Sequence, residues 1–122
     1  MNILIADDDR VQTLMLSTRL KAKGFKVTVA YDAIQAWMAV IKTLPDVIVL
    51  DIQMPGGTGI AVLKQLKAST KTCQIPVIVL SGSIDPQSAS TVKNLGADEY
   101  LAKPVDLDRL YNTLSSILGT KP

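Results

Sequence analysis

The sequence has one cysteine, Cys73, so an intrachain disulfide is excluded. That usage suits a reducing cytoplasm, where the chain is expected to reside. Aromatic residues are scarce: one Trp, one Phe and three Tyr. None is interleaved with the lysine clusters Lys21, Lys23, Lys26 and Lys64, Lys67, Lys71, so direct nucleic-acid binding is not expected. These lysines read instead as solvated helix faces. No apolar run approaches the length of a membrane span, and the N-terminus lacks the long apolar stretch of a signal peptide. Internal repeats and low-complexity tracts are missing too. Histidine is absent altogether.

What is present fits one compact domain. The length is 122 residues, the hydrophobic fraction 48% and the net charge +2. A chain of this size buries roughly two-thirds of its unfolded surface, so neither metal nor disulfide is needed for folding. The domain is expected at residues 1–118, with 119–122 as a short tail or the start of a linker.

Several apolar runs end on polar residues. Ile3-Leu4-Ile5-Ala6 leads into Asp7-Asp8-Asp9, Val47-Ile48-Val49-Leu50 ends on Asp51, and Val77-Ile78-Val79-Leu80 ends on Ser81. A shorter run ends on Lys103-Pro104. Strand and helix alternate five times along the chain. Strands are predicted at Asn2–Ala6, Phe25–Ala30, Asp46–Leu50, Ile75–Leu80 and Asp98–Ala102. Helices are predicted at Arg10–Lys23 and Ala33–Thr43, from the loop Met54–Gly59 to about Ala68, at Pro86–Leu95, and at 107–118. Asp9, Asp32 and Asp106 can serve as N-caps, and Gly24 and Gly96 stand where helices stop. Helix two carries Ile34, Trp37, Met38 and Ile41 on one face, and Trp37 and the methionines read as core fillers. Helix five has a 3.6-residue stripe of Leu107, Leu110, Tyr111, Leu114, Ile117 and Leu118. Such alternation implies parallel strands with helices on both faces, a doubly wound α/β fold with a five-stranded parallel sheet.

In a parallel sheet each of those polar residues lies at a carboxyl end, the edge where open α/β sheets bind ligands. Several carboxylates, one hydroxyl and one ammonium would converge there. Like charges so close ask for a divalent cation. Magnesium prefers octahedral oxygen donors, which Asp7 or Asp8, Asp51 and a backbone carbonyl would supply; manganese is its natural substitute. Asp51 stands alone at its strand end, in the position of a nucleophile that could take a phosphoryl group as an aspartyl phosphate. Lys103 would neutralise a phosphoryl oxygen and Ser81 would donate to another.

These residues carry a resemblance. The chain resembles a response-regulator receiver domain of two-component signalling over essentially its whole length. The likeness rests on Asp7-Asp8, on Val49-Leu50-Asp51-Ile52-Gln53-Met54-Pro55 with Gly59, on Ser81-Gly82, and on Gly96-Ala97-Asp98-Glu99-Tyr100-Leu101-Ala102-Lys103-Pro104. The resemblance implies a flavodoxin-like (βα)5 fold with strand order 2-1-3-4-5. It implies Asp51 as phosphoacceptor, Asp8 and the Gln53 backbone carbonyl as direct metal ligands, and Asp7 as the acid that reaches the metal through water. Ser81 and Tyr100 would form the switch pair that repacks the surface of helix four, strand five and helix five. Lys103-Pro104 would be a cis peptide. The partners implied are a histidine kinase or histidine phosphotransfer protein upstream and an effector protein or fused output domain downstream. Without a histidine of its own, the chain must take its phosphoryl group from another molecule. The polar faces of helix four (Ser88, Ser90, Thr91, Lys93, Asn94) and helix five (Arg109, Asn112, Thr113, Ser115, Ser116) could serve a phosphorylation-linked homodimer or be plain surface. The sequence departs from the family pattern at Gly57 and Thr58, and Gly56-Gly57 should loosen that loop. Gln53 and Ser83 occupy positions that tune dephosphorylation in the family.

Other readings compete. Asp7 and Asp8 could be no more than acid at a helix N-terminus, and for Asp9 capping is the better reading. Ser81 could be a turn cap and Lys103 a solvated lysine. A phosphatase resembling the haloacid-dehalogenase superfamily also uses Asp, magnesium, Ser or Thr, and Lys. It needs a second Asp two residues after the nucleophile, where this chain has Gln53. An FMN-binding flavodoxin-like module would meet three repelling aspartates after strand one. A degenerate receiver acting only as a binding platform conflicts with the intact key positions.

Overall fold

The computed structural model describes residues 1–54, 57–82 and 86–119. The readings placed on Pro55, Gly56, Ser83 and the tail residues 120–122 lie outside these. The elements are β1 (Asn2–Ala6), α1 (Arg10–Ala22), β2 (Lys26–Ala30), α2 (Ala33–Thr43), β3 (Val47–Asp51), β4 (Gln53–Met54), β5 (Gly57–Thr58), α3 (Gly59–Ala68), β6 (Val77–Ser81), α4 (Pro86–Asn94), β7 (Glu99–Ala102) and α5 (Leu107–Leu118). Five strands form one parallel sheet in the order β2-β1-β3-β6-β7. This is the predicted doubly wound architecture, with its main strands in order 2-1-3-4-5.

The sheet sorts its apolar residues by the two-residue period of a strand. Leu4, Ala6, Ile48, Leu50, Val77 and Val79 face one way, against Ala36 and Val40 of α2, Val62, Leu63 and Leu66 of α3, and Val92 of α4. Ile3, Ile5, Val47, Val49, Ile78 and Leu80 face the other way, against Leu16 and Leu20 of α1 and Leu110 and Leu114 of α5. Every residue of β3 and β6 is buried, as central strands covered on both sides require.

The predicted caps form. Asp9 accepts from the backbone N–H groups of Val11 and Gln12, Asp32 from Gln35, and Asp106 from Asp108 and Arg109. Gly96 follows α4 at φ +108°, a conformation that other residues adopt at a cost. Strand ends shift slightly from prediction. Proline has no N–H to give a ladder, and the Ile75 N–H turns back to the Thr72 carbonyl, so β6 begins at Val77 rather than Ile75. The expected loop Met54–Gly59 contains instead a small antiparallel pair, β4 with β5, and α3 starts at Gly59.

Four packing expectations are corrected. α2 buries its small residues Ala33, Ala36 and Val40, which allow close approach to the sheet. Trp37 packs against that core, but Ile34 and Met38 are 64% and 65% exposed. Met1 and Met15 are exposed too, so these methionines are not core fillers. Ser115, expected on the outer face of α5, is buried. Lys67 is not simply solvated: its ammonium donates to the carbonyls of Cys73 and Ile75 and pins the turn after α3. Among the described residues no helix is long and apolar enough to cross a membrane.

Candidate functional site

Strand register brings the site together. Ala6 of β1 is level with Leu50 of β3, so Asp7 and Asp51, each one residue on, reach the same edge. Asp51 in turn is level with Leu80 of β6, which puts Ser81 next. Ser81 is level with Ala102 of β7, and Lys103 follows. Four elements thus deliver Asp7, Asp51, Ser81 and Lys103 to one end of the sheet.

Asp51 is buried, with one carboxylate oxygen on each of two donors. Oδ1 accepts from the Gln53 backbone N–H at 3.1 Å, and Oδ2 lies 3.0 Å from Lys103 Nζ. The same ammonium lies 3.1 Å from Asp7 Oδ2. Asp7 is fully buried; its Oδ1 accepts from the Asp9 N–H at 2.9 Å and its Oδ2 from the Gln12 side-chain amide at 2.5 Å. Asp8 is exposed at the rim. One carboxylate oxygen each from Asp7, Asp8 and Asp51 lie within 4.8 Å of one another. The Ser81 side of the site is buried, and its carbonyl accepts from the Lys103 N–H at 2.8 Å. Tyr100 is half-buried against the core on the α2–α3–α4 side of the sheet. The Lys103–Pro104 peptide is cis.

The family model for the response regulator receiver domain matches residues 3–115. The chain belongs to this family. Response regulator MprA of Mycobacterium avium is 34% identical over 123 residues, which cover 100% of this chain and 53% of that protein. Protein RcaC of Microchaete diplosiphon is 36% identical over 112 residues, 92% of this chain and 17% of that protein. The crystal structure of a two-component response regulator from Clostridium difficile matches with a TM-score of 0.92 at 29% identity, covering 98% of this chain and 96% of that one. The receiver therefore spans about half of MprA and a smaller part of RcaC.

Burial dominates the electrostatics of the receiver's site. It raises the Asp51 pKa above the ordinary carboxylate value, and the neighbouring Asp7 charge adds to this. The Gln53 N–H and Lys103 pull the other way without cancelling it. Burial opposes the charge on Lys103, but its contacts with Asp51 and Asp7 outweigh that and leave its pKa raised. The two raised values agree once burial is counted: the shared ion pair favours both charges, and only the carboxylate loses more by desolvation than it gains.

Three carboxylates face one ammonium at this edge, among the described residues. Such a set of hard oxygen donors with unbalanced negative charge fits a small divalent cation. Receiver domains bind Mg2+ at an acidic cluster of this kind.

Two positions at the site carry contacts that the sequence reading does not give them. Gly59 appeared only as a motif residue. A Cβ there would lie 2.2 Å from the Asp51 carbonyl oxygen and 2.6 Å from Ile52 Cα, so α3 can start this close to the site only with glycine. Gln12 was missed altogether. Asp9-x-x-Gln12 has the spacing of a capping box, which would send the Gln12 side chain back to the Asp9 N–H. That N–H is taken by Asp7, and the Gln12 amide goes to Asp7 as well.

Proposed function

We propose that this receiver is a phosphorylation switch whose phosphoacceptor is Asp51. The observation that carries this reading is the state of that one carboxylate. It is buried at the end of a central strand, held on both oxygens, and paired with Lys103 at 3.0 Å.

The Asp51 carboxylate is the nucleophile, and the Gln53 N–H on Oδ1 and Lys103 on Oδ2 fix its orientation. As the new O–P bond forms, the P–N bond of a phosphohistidine breaks and its electron pair leaves on the imidazole nitrogen. That phosphohistidine lies outside these 122 residues, which hold no histidine, and a histidine kinase or histidine phosphotransfer protein would supply it. Lys103 follows the developing charge onto a phosphoryl oxygen. Asp8, Asp51 and the Gln53 carbonyl would hold Mg2+ or Mn2+ directly, with Asp7 reaching it through water. When bound, the ion neutralises phosphoryl oxygens that Lys103 does not reach. No second substrate is turned over, so the chain is a regulatory phosphoacceptor rather than an enzyme in the ordinary sense.

Ser81 then turns its hydroxyl to the phosphoryl group, and the Tyr100 ring moves into the space released. The surface of α4, β7 and α5 repacks and controls an effector protein, a fused output domain or a second copy of the chain. The receiver unit is residues 1–118, with 119–122 as tail or linker, and it works in the cytoplasm without direct nucleic-acid contact.

Intact mass after incubation with Mg2+ and acetyl phosphate tests this. The parent should gain one phosphoryl group, and Asp51→Asn and an EDTA control should gain none. Equal gain in the variant would assign the acceptor elsewhere. No gain from acetyl phosphate or from a panel of phosphorylated histidine donors would end the switch reading.

A further inference from the structure

Gln12 lies in the first turn of α1, and its backbone is fixed by the Asp9 cap at 3.0 Å. Its half-buried side chain does not point to solvent. It donates to Asp7 Oδ2, the oxygen that also meets Lys103. Asp7 therefore has three donors: the Asp9 N–H on Oδ1, and the Gln12 amide and the Lys103 ammonium on Oδ2. A carboxylate has about four acceptor sites, so one is left for a further ligand. With no exposed surface, Asp7 has no bulk water to replace a lost donor.

We propose that Gln12 is a positioning residue for the metal-dependent reaction. It locks the Asp7 carboxylate beside Asp8 and Asp51 with one acceptor site left, and it limits the pull of Asp7 on Lys103. Lys103 is thereby left shared between Asp7 and Asp51. The inference rests on the reading of this edge as a metal-assisted phosphoacceptor site. Groups that orient the side chains around a metal typically contribute ten- to a hundredfold in affinity or activity.

The sign of the effect separates positioning from electrostatics. A donor withdraws electron density, so a Gln12 that acted only through charge would weaken metal binding, and its removal would tighten it. A Gln12 that orients Asp7 does the reverse.

The test is Gln12→Met, which keeps the length and helix preference of the side chain and deletes the N–H donor. Calorimetric titration of the unphosphorylated protein with MgCl2 gives the dissociation constant, and the melting temperature in EDTA shows whether the variant is folded. The expected result is Mg2+ binding about tenfold weaker than in the parent, with a folded variant. In the parent, the Gln12 side-chain NH2 resonances should also shift on Mg2+ addition. Weakening of less than fivefold, tighter binding, or unmoved Gln12 resonances overturns the inference. A parent that binds Mg2+ and accepts a phosphoryl group while Gln12→Met behaves alike would leave the phosphoacceptor reading intact and remove only this role. A parent that binds no Mg2+ would remove both.

Discussion

Burial and pairing act on Asp51 in opposite directions, and burial prevails. A carboxyl group with a folded pKa above its unfolded value favours the fold when protonated. That contribution is fully present below the ordinary value of 3.8 and is lost as pH rises through the raised value. Without metal, keeping Asp51 in this buried place at neutral pH is thus a net cost. Asp51→Asn should melt a few degrees higher than the parent at pH 7 in EDTA, with the gap closing towards pH 3. Melts across that range check it, and a parent more stable than the variant at pH 7 contradicts it. The raised pKa of Lys103 acts with the same sign but in a higher window: its contribution is fully present through neutrality and fades only in alkali. Gly59 is the other residue on which Asp51 depends. Gly59→Ala drives a methyl into the Asp51 carbonyl, so it should cost about 2–3 kcal/mol and slow phosphorylation by acetyl phosphate. Denaturant unfolding and the intact-mass time course measure the two effects separately.

At the scale of elements, the caps and the central strands were legible because their signals are local. Asp9, Asp32 and Asp106 precede helices and act as caps, and the apolar runs at β1, β3 and β6 are the buried strands. The face of α2 was not legible. Large apolar residues drew the prediction to Ile34, Met38 and Ile41, whereas tight packing on a sheet selects small ones, here Ala33, Ala36 and Val40. α5 shows the opposite error. Its stripe was read correctly, but Ser115, one turn after Tyr111, is buried with a hydroxyl that finds no hydrogen-bond partner. Ser115→Ala removes that unmatched group and improves helix propensity, so it should stabilise the fold by about 1 kcal/mol. A destabilised variant in urea unfolding would mean that the hydroxyl is satisfied.

At the scale of the whole molecule, the site is a product of topology. Asp7, Asp51, Ser81 and Lys103 are far apart in the chain, yet strand register alone sets them at one edge. That convergence could be read from where apolar runs stop. The links between the residues could not. The sharing of Lys103 by two carboxylates, the diversion of Gln12 from its cap to Asp7, and the Lys67 bonds to Cys73 and Ile75 depend on side-chain reach across elements. The receiver matches only part of the length of MprA and RcaC.

Attachment of the phosphoryl group to the Asp51 carboxylate can be read chemically. Borohydride reduces an aspartyl phosphate to homoserine and leaves free carboxylates untouched. The protein would be phosphorylated with acetyl phosphate and Mg2+, reduced, digested with trypsin and sequenced by mass spectrometry. Homoserine is expected at position 51, in the peptide spanning 43–64, and aspartate at positions 7 and 8. Homoserine at position 7 or 8, or its absence from a protein that has gained a phosphoryl group, would contradict it.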